Sequence, residues 1–115
     1  MGALRPFRAI VLPTDPYAGP REILIDGIDA MQSAIGGYFD CVRARIGDDD
    51  VSIYVHDEGL LIGLPANRRA CVLAWMGGYG DPSSTLLVGD ALVAGGVDAE
   101  GNTLDVPDDV RRMIL

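Results

Sequence analysis

Residues 38–56, YFDCVRARIGDDDVSIYVH, decide how the rest of the chain reads. Residues 38–46 and 51–56 have strand composition, and the acidic turn Gly47, Asp48, Asp49 and Asp50 between them has the residue types a hairpin loop prefers. Two strands joined this closely pair antiparallel. In the second strand Val51, Ile53 and Val55 alternate with Ser52, Tyr54 and His56. Side chains of a strand point to opposite faces in turn, so the first set is expected in the core and the second on one common surface. That surface, extended by Glu58, is the first candidate site: Tyr54, His56 and Glu58.

Working upstream, FRAIVL (residues 7–12) ends at Pro13, and EILI (residues 22–25) follows the turn-rich PTDPYAGP. Pro13, Pro16 and Pro20 forbid helix through the connection, so two strands joined by a rigid loop are expected. Asp26 precedes Ile28, Met31, Ala34 and Ile35, whose spacing puts one apolar stripe on a helix of about three turns. Asp26 would cap it, Asp29 lies in its first turn, and Gly36 and Gly37 stop it. Downstream, Asp57, Glu58 and Gly59 turn into the apolar residues 60–64, and PANRRACVLAWM (residues 65–76) reads as a second helix capped by Asn67 and stopped by Gly77 and Gly78. Residues 86–95 return to strand composition with a break at Gly89 and Asp90, and the tail ends in a short helix opened by Pro107.

The order is strand, strand, helix, two or three strands, helix, strand, terminal helix. Two main helices cannot cover both faces of a five- or six-stranded sheet in the doubly wound way. The expected class is therefore α+β, a mostly antiparallel sheet with two main helices on one face and a short C-terminal helix. All 115 residues fit one domain.

The charge balance narrows the function. Nine basic residues against 17 acidic ones give a net charge of −8, and all nine are Arg. Without Lys the chain forms no internal Schiff base and supplies no phosphate-loop lysine, which excludes pyridoxal enzymes and Walker-type hydrolases. The acidic balance argues against nucleic acid and anionic membrane as partners, since both need several cations on one face. Mimicry of DNA by the acids themselves is a minor alternative, because they cluster in turns rather than in dense rows. No stretch approaches the roughly 20 apolar residues of a membrane span. Arg5, Pro6 and Arg8 stand where a signal peptide needs a continuous apolar core, so a cytoplasmic location is expected. Cys41 and Cys71 lie in apolar surroundings without CxxC spacing and are expected as buried, reduced thiols.

Few residues could carry chemistry. His56 is the sole histidine, and nothing in its spacing from Cys41, Cys71 or the acids supports a nucleophilic relay or a zinc site. A histidine at a strand end is ordinarily bonded to a neighbour. The segment Asn67, Arg68 and Arg69 is more unusual. Two cations in the first turn of a helix oppose its macrodipole at roughly 0.3–1 kcal/mol each when exposed, and something must offset that. The functional reading is an anion site for a phosphate or carboxylate; the structural one is pairing with some of the 17 acids. Trp75, at helical spacing with Cys71 and Val72, belongs in the core rather than in an aromatic surface with Tyr54 and Tyr79. The acids around Gly101 do not follow the EF-hand order, since Gly is fourth from Asp98 rather than sixth. No metal, cofactor or catalytic residue is expected.

Several segments also carry a family likeness. IGGYFD after the first helix, IYVHDEGLL followed by GLPANRRA, then LLVGDALVAGG and DAEGNTLDVPDDV resemble a family of small proteins of actinobacteria and their phages known as a domain of unknown function. The pattern elements are Gly36 and Gly37; Asp57, Glu58 and Gly59; Leu64, Pro65, Asn67, Arg69 and Ala70; Val88, Gly89 and Asp90; and Asp105, Val106 and Pro107. The likeness covers residues 10–110. It implies no activity, but it implies a phage or mobile-element product acting in a bacterial cytosol, with which the all-Arg, Asp-rich composition of a GC-rich genome agrees.

By subtraction, the expected function is a non-enzymatic module that binds a host protein. Sequestration of a phosphorylated small molecule at Asn67, Arg68 and Arg69 comes second, and an acid-base enzyme using Tyr54, His56 and Glu58 third. The sequence is compatible with a homodimer.

Overall fold

The computed structural model describes residues 5–115; residues 1–4, which open the stretch read for a signal peptide, lie outside the described residues. The elements run β1 (Phe7–Leu12), β2 (Arg21–Ile25), α1 (Ile28–Ile35), β3 (Phe39–Ile46), β4 (Asp49–His56), α2 (Arg68–Met76), β5 (Ala91–Gly95) and α3 (Asp108–Ile114). The strands form one antiparallel five-stranded sheet in the order β2-β1-β5-β4-β3, so the class is α+β as the sequence predicts.

The hairpin is tighter than expected. Ile46 pairs with Asp49, leaving a two-residue loop, Gly47 and Asp48, while Asp49 and Asp50 belong to β4. Gly47 adopts a φ of 61°, a left-handed conformation that a glycine-first hairpin turn requires.

The expectation of helices on one face is corrected. Met31 and Ile35 of α1 pack with Phe7, Ala9, Val11, Tyr54, Leu92 and Ala94 on one face of the sheet. Ala70, Cys71, Leu73 and Ala74 of α2, with Val110 of α3, pack on the other against Ile10, Leu12, Val51, Ile53 and Val93. A short α1 is enough to cover the centre of the sheet; it has eight residues, about two turns rather than three. Burial on both faces also overturns the alternation read for β4. Five consecutive residues, Val51 to Val55, are buried, so Ser52 and Tyr54 lie in a second core layer rather than on a surface.

Smaller differences follow local chemistry. Gly27, with a φ of 115° and no side-chain bond, occupies the N-cap of α1 that Asp26 was expected to fill. Residues 60–63 form turns and Leu64 is irregular, so of the five or six strands expected the sheet has five. Of residues 86–95 only Ala91–Gly95 is a strand; Val88 makes an isolated bridge to Ala66. Cys71 is buried, its sulfur 3.2 Å from the Leu87 N–H, whereas Cys41 is exposed because on β3 it alternates with Val42 and Ala44, which face the α2 core. Trp75 is partly buried against the α2–α3 core and donates its indole N–H to the Thr85 carbonyl at 3.2 Å, which ties down the loop after α2. At the other end of the sheet Glu22 holds Arg111 at 2.5 Å and Arg8 at 3.9 Å, linking α3 to β1 and β2.

Candidate functional site

The three residues of the first candidate surface do not form one. Tyr54 is buried beneath the α1 face, its ring edge-on to Phe39 with centroids 5.5 Å apart, and its hydroxyl hydrogen-bonds Thr103 Oγ1 at 2.8 Å. Burial pushes the Tyr54 phenol up from its ordinary 10.0, with the Thr103 bond opposing that rise. His56 accepts the Glu58 N–H at its Nδ1 (3.0 Å), and Asp57 Oδ1 lies 3.8 Å away. The far side of the imidazole packs on Gly37; a Cβ there would stand 2.6 Å from Nε2. The histidine therefore clamps the end of β4 to the segment after α1, and Glu58 contributes its backbone to that clamp.

The Asn67, Arg68 and Arg69 segment does fall at the start of α2, and its members divide. Asn67 is fully buried and uses all its groups. Its Oδ1 accepts the Ala70 N–H at 3.0 Å, as a cap should, while Nδ2 donates to the carbonyls of Leu12 (2.8 Å) and Gly89 (2.9 Å). Arg69 turns back onto the β1–β2 loop, where Nη1 donates to the carbonyls of Pro13 (3.1 Å) and Ala18 (2.9 Å). Its partners are backbone oxygens, not the carboxylates expected for internal pairing. Arg68 is exposed, and among the described residues its guanidinium has no hydrogen bond and no ion pair.

A further feature is one that sequence reasoning missed. Leu60, Leu61 and Ile62 are consecutive and exposed by 68%, 84% and 57%. They are nevertheless held in a defined knuckle: Ile62 N–H bonds the Glu58 carbonyl at 3.0 Å and Leu64 N–H the Gly59 carbonyl at 2.9 Å. Gly59 is wedged against Val88, whose Cγ2 would lie 2.6 Å from an added Cβ, and Gly63 takes a φ of 71°. Leu60 and Leu61 line a cleft of about 570 Å³ together with Asp40, Val55, Asp57, Tyr79 and Leu86. The lining is mixed: it is largely apolar side chains, with the carboxylates of Asp40 and Asp57 and the His56 ring among them. In the loop beyond Tyr79, hydrogen bonds from the Ser83 side chain and backbone hold the Asp81 carboxyl below the ordinary carboxylate range. The sequence signal was present: an apolar triplet fenced between Gly59 and Gly63 is too short for a strand and has no periodicity to bury it.

Among the described residues no group of three or more His, Cys, Asp or Glu is placed to hold a metal ion, and no helix is long and apolar enough to cross a membrane. Residues 7–115 match the family described as Domain of unknown function (DUF3846), and the chain belongs to that family. No curated protein and no solved structure matches the chain.

Proposed function

We propose that this member of the DUF3846 family is a non-enzymatic module that binds another protein through the knuckle of Leu60, Leu61 and Ile62 and the cleft beneath it. The observation that carries the reading is the rigid exposure of that triplet. A contiguous apolar patch rimmed by polar groups marks an interaction surface, and a side chain of this size gains about 1.5–3 kcal/mol when a partner takes it fully out of water. Because backbone bonds already fix the knuckle, docking needs little ordering of the chain. A cleft lined by apolar side chains and the carboxylates of Asp40 and Asp57 fits a partner segment with one large apolar anchor flanked by Arg or Lys. The setting we propose is a phage or prophage of an actinobacterium, with a host protein in the cytosol as partner; the all-Arg, Asp-rich composition supports it.

Native mass spectrometry of tagged protein recovered from a mycobacterial or streptomycete lysate tests this directly. Wild type should retain a protein at fixed stoichiometry, and Leu61→Asp should lose it while keeping its thermal midpoint, since Leu61 is 84% exposed. Equal recovery by the two, or no retained protein with either, would refute the proposal.

A further inference from the structure

Arg68 is a cation for which the fold has no use. In a chain with 17 acids it pairs with none among the described residues, and it stands in the first turn of α2, where the helix field opposes it. Its neighbour Arg69 is committed to carbonyls of the β1–β2 loop. Both arginines line two adjoining cavities. One, of about 460 Å³, runs between α2 and α3 and is walled by Leu12, Val72, Leu73, Met76, Met113 and Ile114. The other, of about 350 Å³, is formed with Pro13, Thr14, Pro16 and Ala66. No carboxylate lines either cavity, although the chain carries a net charge of −8.

We infer that this trough binds a linear amphiphile, with an anionic head, carboxylate or phosphate monoester, at Arg68 and an unbranched alkyl tail along Val72, Met76 and Met113. Charge complementarity selects the head: of the two guanidinium groups bordering the larger cavity, Arg69 is bonded to backbone carbonyls while Arg68 has no partner among the described residues, and its planar fork bonds either oxyanion bidentately. The lining selects the tail. Val72, Met76 and Met113 are exposed apolar side chains, and the two methionines adapt their shape to a flexible chain. Size sets the length: Arg68 and Met76 are eight residues apart on α2, about 12 Å, a span filled by a chain of about ten carbons. The larger cavity is also within the volume range of small-molecule sites. This site shares no residue with the knuckle and does not depend on a protein partner.

Isothermal titration with decanoate, decyl phosphate, decanol and inorganic phosphate, each below its aggregation concentration, tests the inference on wild type, Arg68→Gln, Arg68→Lys and Met76→Gln. Decanoate and decyl phosphate should bind one to one, and whichever binds tighter identifies the head group. Decanol and inorganic phosphate should each bind at least tenfold more weakly. Arg68→Gln should reduce both anionic amphiphiles to the level of decanol, and Arg68→Lys should restore part of the difference. Met76→Gln should weaken the amphiphiles and decanol by a similar factor. All four proteins should keep the wild-type thermal midpoint, because both positions are exposed. The inference is overturned if wild type gives no saturable binding, if Arg68→Gln binds as wild type does, or if inorganic phosphate matches decyl phosphate.

Discussion

Replacing Asn67 with Ala should be among the most damaging single changes in this protein, and the reason is specific. The side chain is fully buried and satisfies one N–H and two carbonyls that belong to three different segments: Ala70 of α2, Leu12 of β1, and Gly89 just before β5. Loss of an N-cap alone costs about 1 kcal/mol. Each of the two buried carbonyls left without a partner costs a further 1–3 kcal/mol or so, which puts Asn67→Ala at about 3–7 kcal/mol in total. Against a typical domain stability of about 5–15 kcal/mol, this is a large fraction. The thermal midpoint should fall by roughly 15 °C or more. Asn67→Asp separates the two roles of the side chain. A carboxylate can still accept the Ala70 N–H, but it has no donor for Leu12 and Gly89 and sets a buried charge against their oxygens. It should therefore destabilise at least as much as Ala, although Asp is as good a cap as Asn on a free helix. Urea unfolding followed by the fluorescence of Trp75, the only tryptophan, reads both variants. A cost below about 1 kcal/mol for Ala, or wild-type stability for Asp, would show that Asn67 is only a cap and that the tether is unimportant.

Two further outcomes are expected. Arg69→Gln should cost about 1–3 kcal/mol by freeing the carbonyls of Pro13 and Ala18, and hydrogen exchange in residues 14–19 should accelerate; unchanged exchange would mean that the prolines alone hold the loop. Because the folded-state pKa of Tyr54 is raised, its contribution to stability is complete below the ordinary value of 10.0 and is lost as pH rises through the folded value, so Tyr54→Phe should show a shallower alkaline decline in a pH series of urea melts than wild type.

The sequence is most informative where neighbours in the chain are neighbours in space. β1 is bounded by Pro13, the β3–β4 hairpin by its glycine and aspartates, and α2 by Asn67 and Gly77, and each forms close to where local chemistry places it. What depends on distant segments is not legible. Ser52 and Tyr54 count as polar in a strand pattern, yet a small hydroxyl residue and a phenol bonded to Thr103 are both accepted in a second core layer that α1 brings. Residues 60–62 fail in the opposite direction. Their composition asks for burial, but no segment of the described chain comes to cover them, and composition cannot report a missing neighbour. The same limit applies at the start of α2, where sequence identifies three polar residues together but not that backbone groups claim two of them and leave Arg68 free.

The strand order has a consequence for how the chain becomes a protein. β1–β2 and β3–β4 are each local ribbons, but they meet only through β5, which lies between β1 and β4 and begins at Ala91. During synthesis both ribbons emerge and pair while their inner edges, the flanks of β1 and β4, have nothing to bond to. Synthesis must therefore pass Gly95 before any of the chain has a finished sheet, and closure brings together residues about 80 apart in sequence, such as Ile10 and Val93, at the entropic cost of a long loop. The five buried residues of β5 thus control when the inner edges of β1 and β4 are withdrawn from pairing with other copies of the chain.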